Sequence, residues 1–104
     1  MKKVTVLRLG GCSYCEELVE KLEANSIPYI PIDANENGKL ADKIEALLNT
    51  DIYPIVILEI NNNPPFFIFR AKDYDEIGES VVEGGVKVGA ISIDAIVEII
   101  SNLI

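Results

Sequence analysis

Lys3-Val4-Thr5-Val6-Leu7-Arg8-Leu9-Gly10-Gly11-Cys12-Ser13-Tyr14-Cys15-Glu16-Glu17-Leu18-Val19-Glu20-Lys21-Leu22 changes its hydrophobic period halfway along. Val4, Val6, Leu7 and Leu9 make residues 3–9 a mostly apolar run of β-formers, which suits a buried central strand. Gly10-Gly11 breaks that run. From there Cys15, Leu18, Val19 and Leu22 recur at i, i+3, i+4 and i+7, with Glu16, Glu17, Glu20, Lys21 and Glu23 on the other side. This pattern predicts an amphipathic helix ending near Asn25, ahead of Pro28.

Further along, Tyr29–Ile32 reads as a short strand and Asp33 to Gly38 as a loop. Leu40, Ile44, Leu47 and Leu48 mark a second helix. Ile55–Ile60 and Phe66–Phe69 flank the turn cluster Asn61-Asn62-Asn63-Pro64-Pro65 and predict a hairpin. Ile93, Ile96, Val97, Ile100, Leu103 and Ile104 share one face of a last helix, with Ser92 as its N-cap and Asp94 in its first turn. The order is β-α-β-α-β-β-α, opening with a right-handed parallel crossover. Ala71–Val88, with Gly78, Gly84, Gly85, several acids and the Val81-Val82 pair, fits no predicted element. The 104 residues suit one domain, 1–104, with an extended segment at about 71–88 before the last helix.

Composition narrows the function. Hydrophobic residues make up 49% of the chain and charged residues 25%, as in ordinary globular domains. A net charge of −8 repels phosphate backbones and anionic membrane surfaces, so neither nucleic acid nor a membrane is an expected partner. No apolar run approaches the roughly 20 residues of a spanning helix. Arg8 interrupts the N-terminal apolar stretch and no small-residue cleavage site follows, so no secretory leader is expected. A cytoplasmic location follows, where a cysteine pair serves catalysis or metal binding rather than structure.

The chemistry centres on Cys12-Ser13-Tyr14-Cys15. Cys12 falls where a strand ends, a Gly-Gly turn follows and a helix begins. Free N–H groups and the positive end of the helix dipole favour a thiolate there, and the first cysteine of such a motif ionises below its free pKa. The two-residue spacer puts Cys15 one turn away, within reach of a mixed disulfide on Cys12. The same spacing is also half of a zinc site, but such a site needs four ligands. The chain offers two cysteines and no histidine, so no intrinsic metal is expected in a monomer. Burial as small core residues is the other reading; it suits Cys15 on the apolar face better than Cys12 at the turn.

Leu9-Gly10-Gly11-Cys12-Ser13-Tyr14-Cys15 after an N-terminal strand resembles the active site of the glutaredoxins, members of the thioredoxin-fold superfamily, which typically carry Cys-Pro-Tyr-Cys. The resemblance covers residues 1 to about 60, and less closely the last helix. It implies an α/β thioredoxin/glutaredoxin fold with a central four-stranded mixed sheet flanked by helices. It also implies an enzyme: a glutathione-dependent thiol–disulfide oxidoreductase with Cys12 as nucleophile and Cys15 as resolving thiol. Its partners would be glutathione, as reductant and co-substrate, and disulfide-containing or glutathionylated proteins, with the protein acting as a monomer.

Further contacts follow from the same resemblance. Ile52-Tyr53-Pro54-Ile55 resembles the family's Thr-Val-Pro, in which the proline is cis and the preceding backbone pairs with the cysteinyl part of glutathione. A first-strand proline needs no such role. Val88-Gly89-Ala90-Ile91-Ser92 resembles Ile-Gly-Gly-x-Thr-Asp, implying that Gly89 and Ser92 meet the γ-glutamyl end; Ser92 is a helix cap in either reading. Arg8 and Lys39, near the motif and the second helix, correspond to the family's cations, with Arg8 read equally as a solvated strand residue and Lys39, like Lys43, as a surface lysine. Tyr14 either shields the sulfurs or packs on the first turn. Three departures stand out: Glu16, Glu17 and Glu20 where relatives are basic, Ile93 where an acid usually follows, and a long interval between Pro54 and Gly89. The missing acid favours an alternative, a redoxin recharged by a thioredoxin-reductase-type enzyme. Another alternative is an iron–sulfur carrier, with Cys12 and two glutathione thiolates as ligands between two protomers. A non-catalytic structural domain would require an ordinary Cys12.

Overall fold

The computed structural model describes residues 1–104. Strand β1 (Lys2–Arg8) leads through Leu9-Gly10-Gly11 into helix α1 (Ser13–Ala24). Then come β2 (Ile30–Asp33), α2 (Gly38–Leu48), β3 (Ile55–Ile60), β4 (Phe66–Arg70), a 3-10 turn (Tyr74–Glu76), β5 (Gly78–Val82), β6 (Gly85–Ala90) and α3 (Ile93–Leu103). The strands form one six-stranded mixed sheet in the order β2-β1-β3-β4-β6-β5. β1 pairs with β2 in parallel and with β3 antiparallel, β3 with β4 antiparallel, β4 with β6 in parallel, and β5 with β6 antiparallel.

The expected four-stranded sheet and the expected order β-α-β-α-β-β-α are therefore corrected. The sheet has six strands, and two of them come from the stretch that fitted no predicted element. The physical reason lies in where those strands sit. β5 is the edge of the sheet, and Gly78, Glu79, Ser80 and Val81 are all exposed, so no alternation of apolar and polar residues marks it. β6 is rich in glycine and becomes a strand by pairing on both sides, Val88 with Ile68 of β4 and with Glu79 of β5. Glu83-Gly84 joins the two strands, and Gly84 takes φ +85°, a conformation that suits glycine.

The sheet separates two apolar layers. On one face Val4, Val6, Val56, Leu58, Ile68 and Val88 pack against Leu18 and Leu22 of α1 and Ile93, Ile96, Val97 and Ile100 of α3. On the other, Leu7, Ile55, Phe67 and Phe69 pack against Ala41, Ile44 and Leu48 of α2. Strand alternation accounts for this division, since successive side chains of a strand point to opposite faces. Lys21 of α1 forms ion pairs with Glu17, at 3.6 Å, and with Asp94 of α3, tying the two helices together. No helix is long and apolar enough to cross a membrane.

Candidate functional site

Strand register gathers the site at one end of the sheet. Leu7 of β1 lies opposite Ile55 of β3, and Ile55 lies opposite Phe69 of β4. The end of β1, the start of β3 and the end of β4 therefore coincide, as does the end of β6, where Ala90 pairs with Arg70. The residues just beyond these strand ends are Cys12, Pro54, Ala71 and Ser92. Gly11 turns the chain into α1 at φ +74°, which an L side chain rarely adopts.

Cys12 is the N-cap of α1, in extended conformation (φ −91°, ψ 108°), and its Sγ accepts from the Cys15 backbone N–H at 3.2 Å. It fills the position that Ser, Thr or Asp usually takes, so its sulfur meets the unpaired amides of the first turn. Cys12 and Cys15 are joined as a disulfide, with Cα atoms 5.2 Å apart. Cys12 is half-buried, whereas Cys15 is 0% exposed. Cys15 packs in the α2-side core with Leu7, Tyr53 and Phe69, not in the layer of Leu18 and Leu22 with which its helical period groups it. The two sulfurs thus differ in access to solvent as well as in place along the helix.

The Tyr53–Pro54 bond is cis, and the Tyr53 carbonyl oxygen lies 3.9 Å from Cys12 Sγ. Tyr53 is buried, and its hydroxyl donates to Glu45 Oε2 of α2 at 2.5 Å. Burial, followed by the Glu45 carboxylate, pushes the Tyr53 phenol well above its usual range. The phenol stays neutral and ties the proline loop to α2.

The remaining expected residues divide. Tyr14 is 46% exposed on the first turn of α1, beside the motif. Ser92 stands at the same sheet end and caps α3, its Oγ accepting from the Ala95 N–H at 3.1 Å. Lys39 is exposed in the first turn of α2. Arg8, half-buried at the end of β1, lies on the face of that strand that carries Val4 and Val6. Gly89 is enclosed: it pairs with Phe69 on one side and Gly78 on the other, and the Glu76 carbonyl closes over it. Its backbone offers no open edge to a ligand. Asp94, the acid displaced by one position, is held by Lys21. No group of three or more His, Cys, Asp or Glu side chains is gathered to hold a metal ion.

Arg70, the last residue of β4, was missed. Its guanidinium carbon sits 3.8 Å from the centre of the Tyr14 ring, in cation–π contact with the motif. The signal in the sequence is slight, a single cation closing the apolar run Phe66-Phe67-Ile68-Phe69.

No family model matches the chain. It is 28% identical over 74 residues to the Gene 56 protein of Mycobacterium phage L5, an alignment covering 71% of this chain and 70% of the phage protein.

Proposed function

We propose that the chain is a glutaredoxin-type thiol–disulfide oxidoreductase that reduces protein disulfides or glutathione mixed disulfides in the reducing cytoplasm, with glutathione as its electron donor. The observation that carries this reading is the asymmetric pair at the start of α1. Cys12 is half-buried with its sulfur on the helix N-terminal amides, and Cys15 is fully buried one turn later. Cys12 attacks as thiolate because the amides and the helix dipole favour negative charge at that point. It displaces one sulfur of the substrate disulfide as a thiolate, which takes up a proton, and becomes a mixed disulfide. Cys15 then loses its proton and attacks the Cys12 sulfur, releasing the second substrate thiol and closing Cys12–Cys15. Two electrons have passed from the dithiol to the substrate. Two glutathione molecules restore the dithiol and leave as glutathione disulfide.

A specific observation favours a second reading for the donor. Gly89 is enclosed by β4, β5 and Glu76, and the Ser92 hydroxyl already accepts a helix amide. Two of the contacts that the resemblance implies for glutathione are thus engaged within the chain, which favours recharging by a thioredoxin-reductase-type enzyme. Turnover with glutathione as the only reductant, against turnover with such a reductase, separates the two. Cys12→Ser is expected to abolish transfer. Cys15→Ser is expected to keep forming a mixed disulfide on Cys12 but to fail on protein disulfides that need a resolving thiol. Equal loss in both variants toward glutathione mixed disulfides contradicts the assignment of roles, and no reversible Cys12–Cys15 disulfide at all contradicts the redox reading.

A further inference from the structure

Arg70 is the cation that the fold places on the dithiol motif. The chain holds 17 acids and nine bases, yet the ion pairs it forms both use Lys21. None of the acids just after Arg70 pairs with it. Glu76 accepts the Lys72 N–H at 2.7 Å, and Asp73 accepts the Asp75 N–H at 3.0 Å. Arg70 Nε is buried without an acceptor. Its guanidinium carbon lies over the Tyr14 ring, and Nε is the one guanidinium nitrogen buried without a partner. A guanidinium held over a ring keeps N–H donors in its own plane, a fork matched to a carboxylate.

Arg70 is half-buried and its Nε has no acceptor within the chain, so a donor and a cation are left for an anion that reaches this point. Tyr14, two residues from Cys12, is 46% exposed, so the Arg70–Tyr14 pair stands beside the sulfur that a substrate disulfide approaches. We infer that Arg70, held on Tyr14, is a specificity-determining residue that takes a carboxylate carried next to the disulfide of the substrate. This rests on the redox reading above and adds the substrate class to it: disulfides with an acidic group a few bonds from sulfur. The carboxylate can belong to glutathione or to an acidic segment of a protein substrate. The arrangement also offsets, at one point, the repulsion that the acidic surface and Glu16 exert on an anionic substrate.

The test uses the full chain, reduced beforehand and freed of reductant, with its oxidation by two small disulfides of similar size followed by loss of the protein's own thiols, counted by mass after acid quenching and alkylation. One disulfide is 3,3′-dithiodipropionate, a dianion, and the other is 2,2′-dithiodiethanol, which is neutral. The readout is the ratio of the two rate constants, which a merely structural role for Arg70 would not move. In Arg70→Met the ratio of anionic to neutral is expected to fall about ten-fold, the equivalent of one hydrogen bond to a charged group. Arg70→Lys is expected to fall between Met and the parent, because it keeps the charge without the planar fork. It also guards against a folding defect in the Met variant. Glutathione disulfide serves as a third substrate. A parallel loss there makes glutathione the source of the carboxylate; an unchanged rate there, with the dithiodipropionate loss intact, makes it an acidic protein segment. An unchanged ratio in both variants, with the parent oxidised by both disulfides, overturns the inference and leaves the redox reading standing. A parent oxidised by neither disulfide overturns both.

Discussion

At Gly89 an added Cβ would lie 1.8 Å from the Glu76 carbonyl oxygen, and that neighbour is backbone with strand pairing on either side. Gly89→Ala is therefore expected to lose about 1–3 kcal/mol or more, since overpacking against backbone cannot be relieved by a rotamer change. At Gly10 nothing lies within 4 Å of the same added atom, so Gly10→Ala serves as the control. Urea denaturation of the two variants checks the contrast. Tyr53 gives a pH prediction. Its phenol is raised above the usual value of 10.0 by burial first and by Glu45 second. A raised pKa in the folded state means that the stabilisation is fully present below about pH 10 and is lost as pH rises above it, because only the unfolded chain then releases the proton easily. Thermal melts from pH 8 to 11 are expected to fall above pH 10 and to fall less steeply in Tyr53→Phe. That variant is also expected to be about 1–3 kcal/mol less stable at neutral pH, having lost a bond to a carboxylate. Among the residues of the site, the cysteines were legible because strand, Gly-Gly and helical period are all local. Arg70 was not legible, because nothing near it in the sequence names Tyr14 as its neighbour.

At the scale of elements, β5 and β6 differ in what they contribute. Val88 of β6 is buried against α3 and Ile68, whereas Val81 of β5 is 88% exposed. Val88→Ala is expected to cost about 1–3 kcal/mol through lost burial and a residual cavity. Val81→Ala is expected to stay within about 0.5 kcal/mol, as surface changes do. Ser92→Ala, which removes the α3 cap, is expected to cost about 1 kcal/mol. Shifts in the midpoint of urea unfolding at constant slope check all three. The helices were legible in the sequence because each buries one stripe, and a stripe recurs at the helical period. β1, β3 and β4 were legible as short apolar runs bounded by turn residues. β5 and β6 were not, because a strand at the edge of a sheet, or one rich in glycine, carries little of the burial pattern by which strands are read.

The whole molecule spans 31 × 29 × 28 Å and carries a net charge of −8 with ion pairs only at Lys21. At about 0.01 M salt the screening length is roughly 30 Å, so every charge acts on every other; at about 0.1 M it is roughly 10 Å. Excess like charge works against a compact state. The melting temperature is therefore expected to rise as sodium chloride goes from 0.01 to 0.1 M, and scanning calorimetry checks this; a fall contradicts it. Local pattern alone was sufficient for the helix that presents Cys12 and for the spacing that brings Cys15 within reach, because both depend on residues fewer than two turns apart. Sheet width and the enclosure of Gly89 were settled by strand pairing, and the contact of Arg70 with Tyr14 by which strand end meets the start of α1. Register, not composition, determines which side chains meet at the end of a sheet, and hydrogen bonds between backbones leave no mark in the residue types that make them.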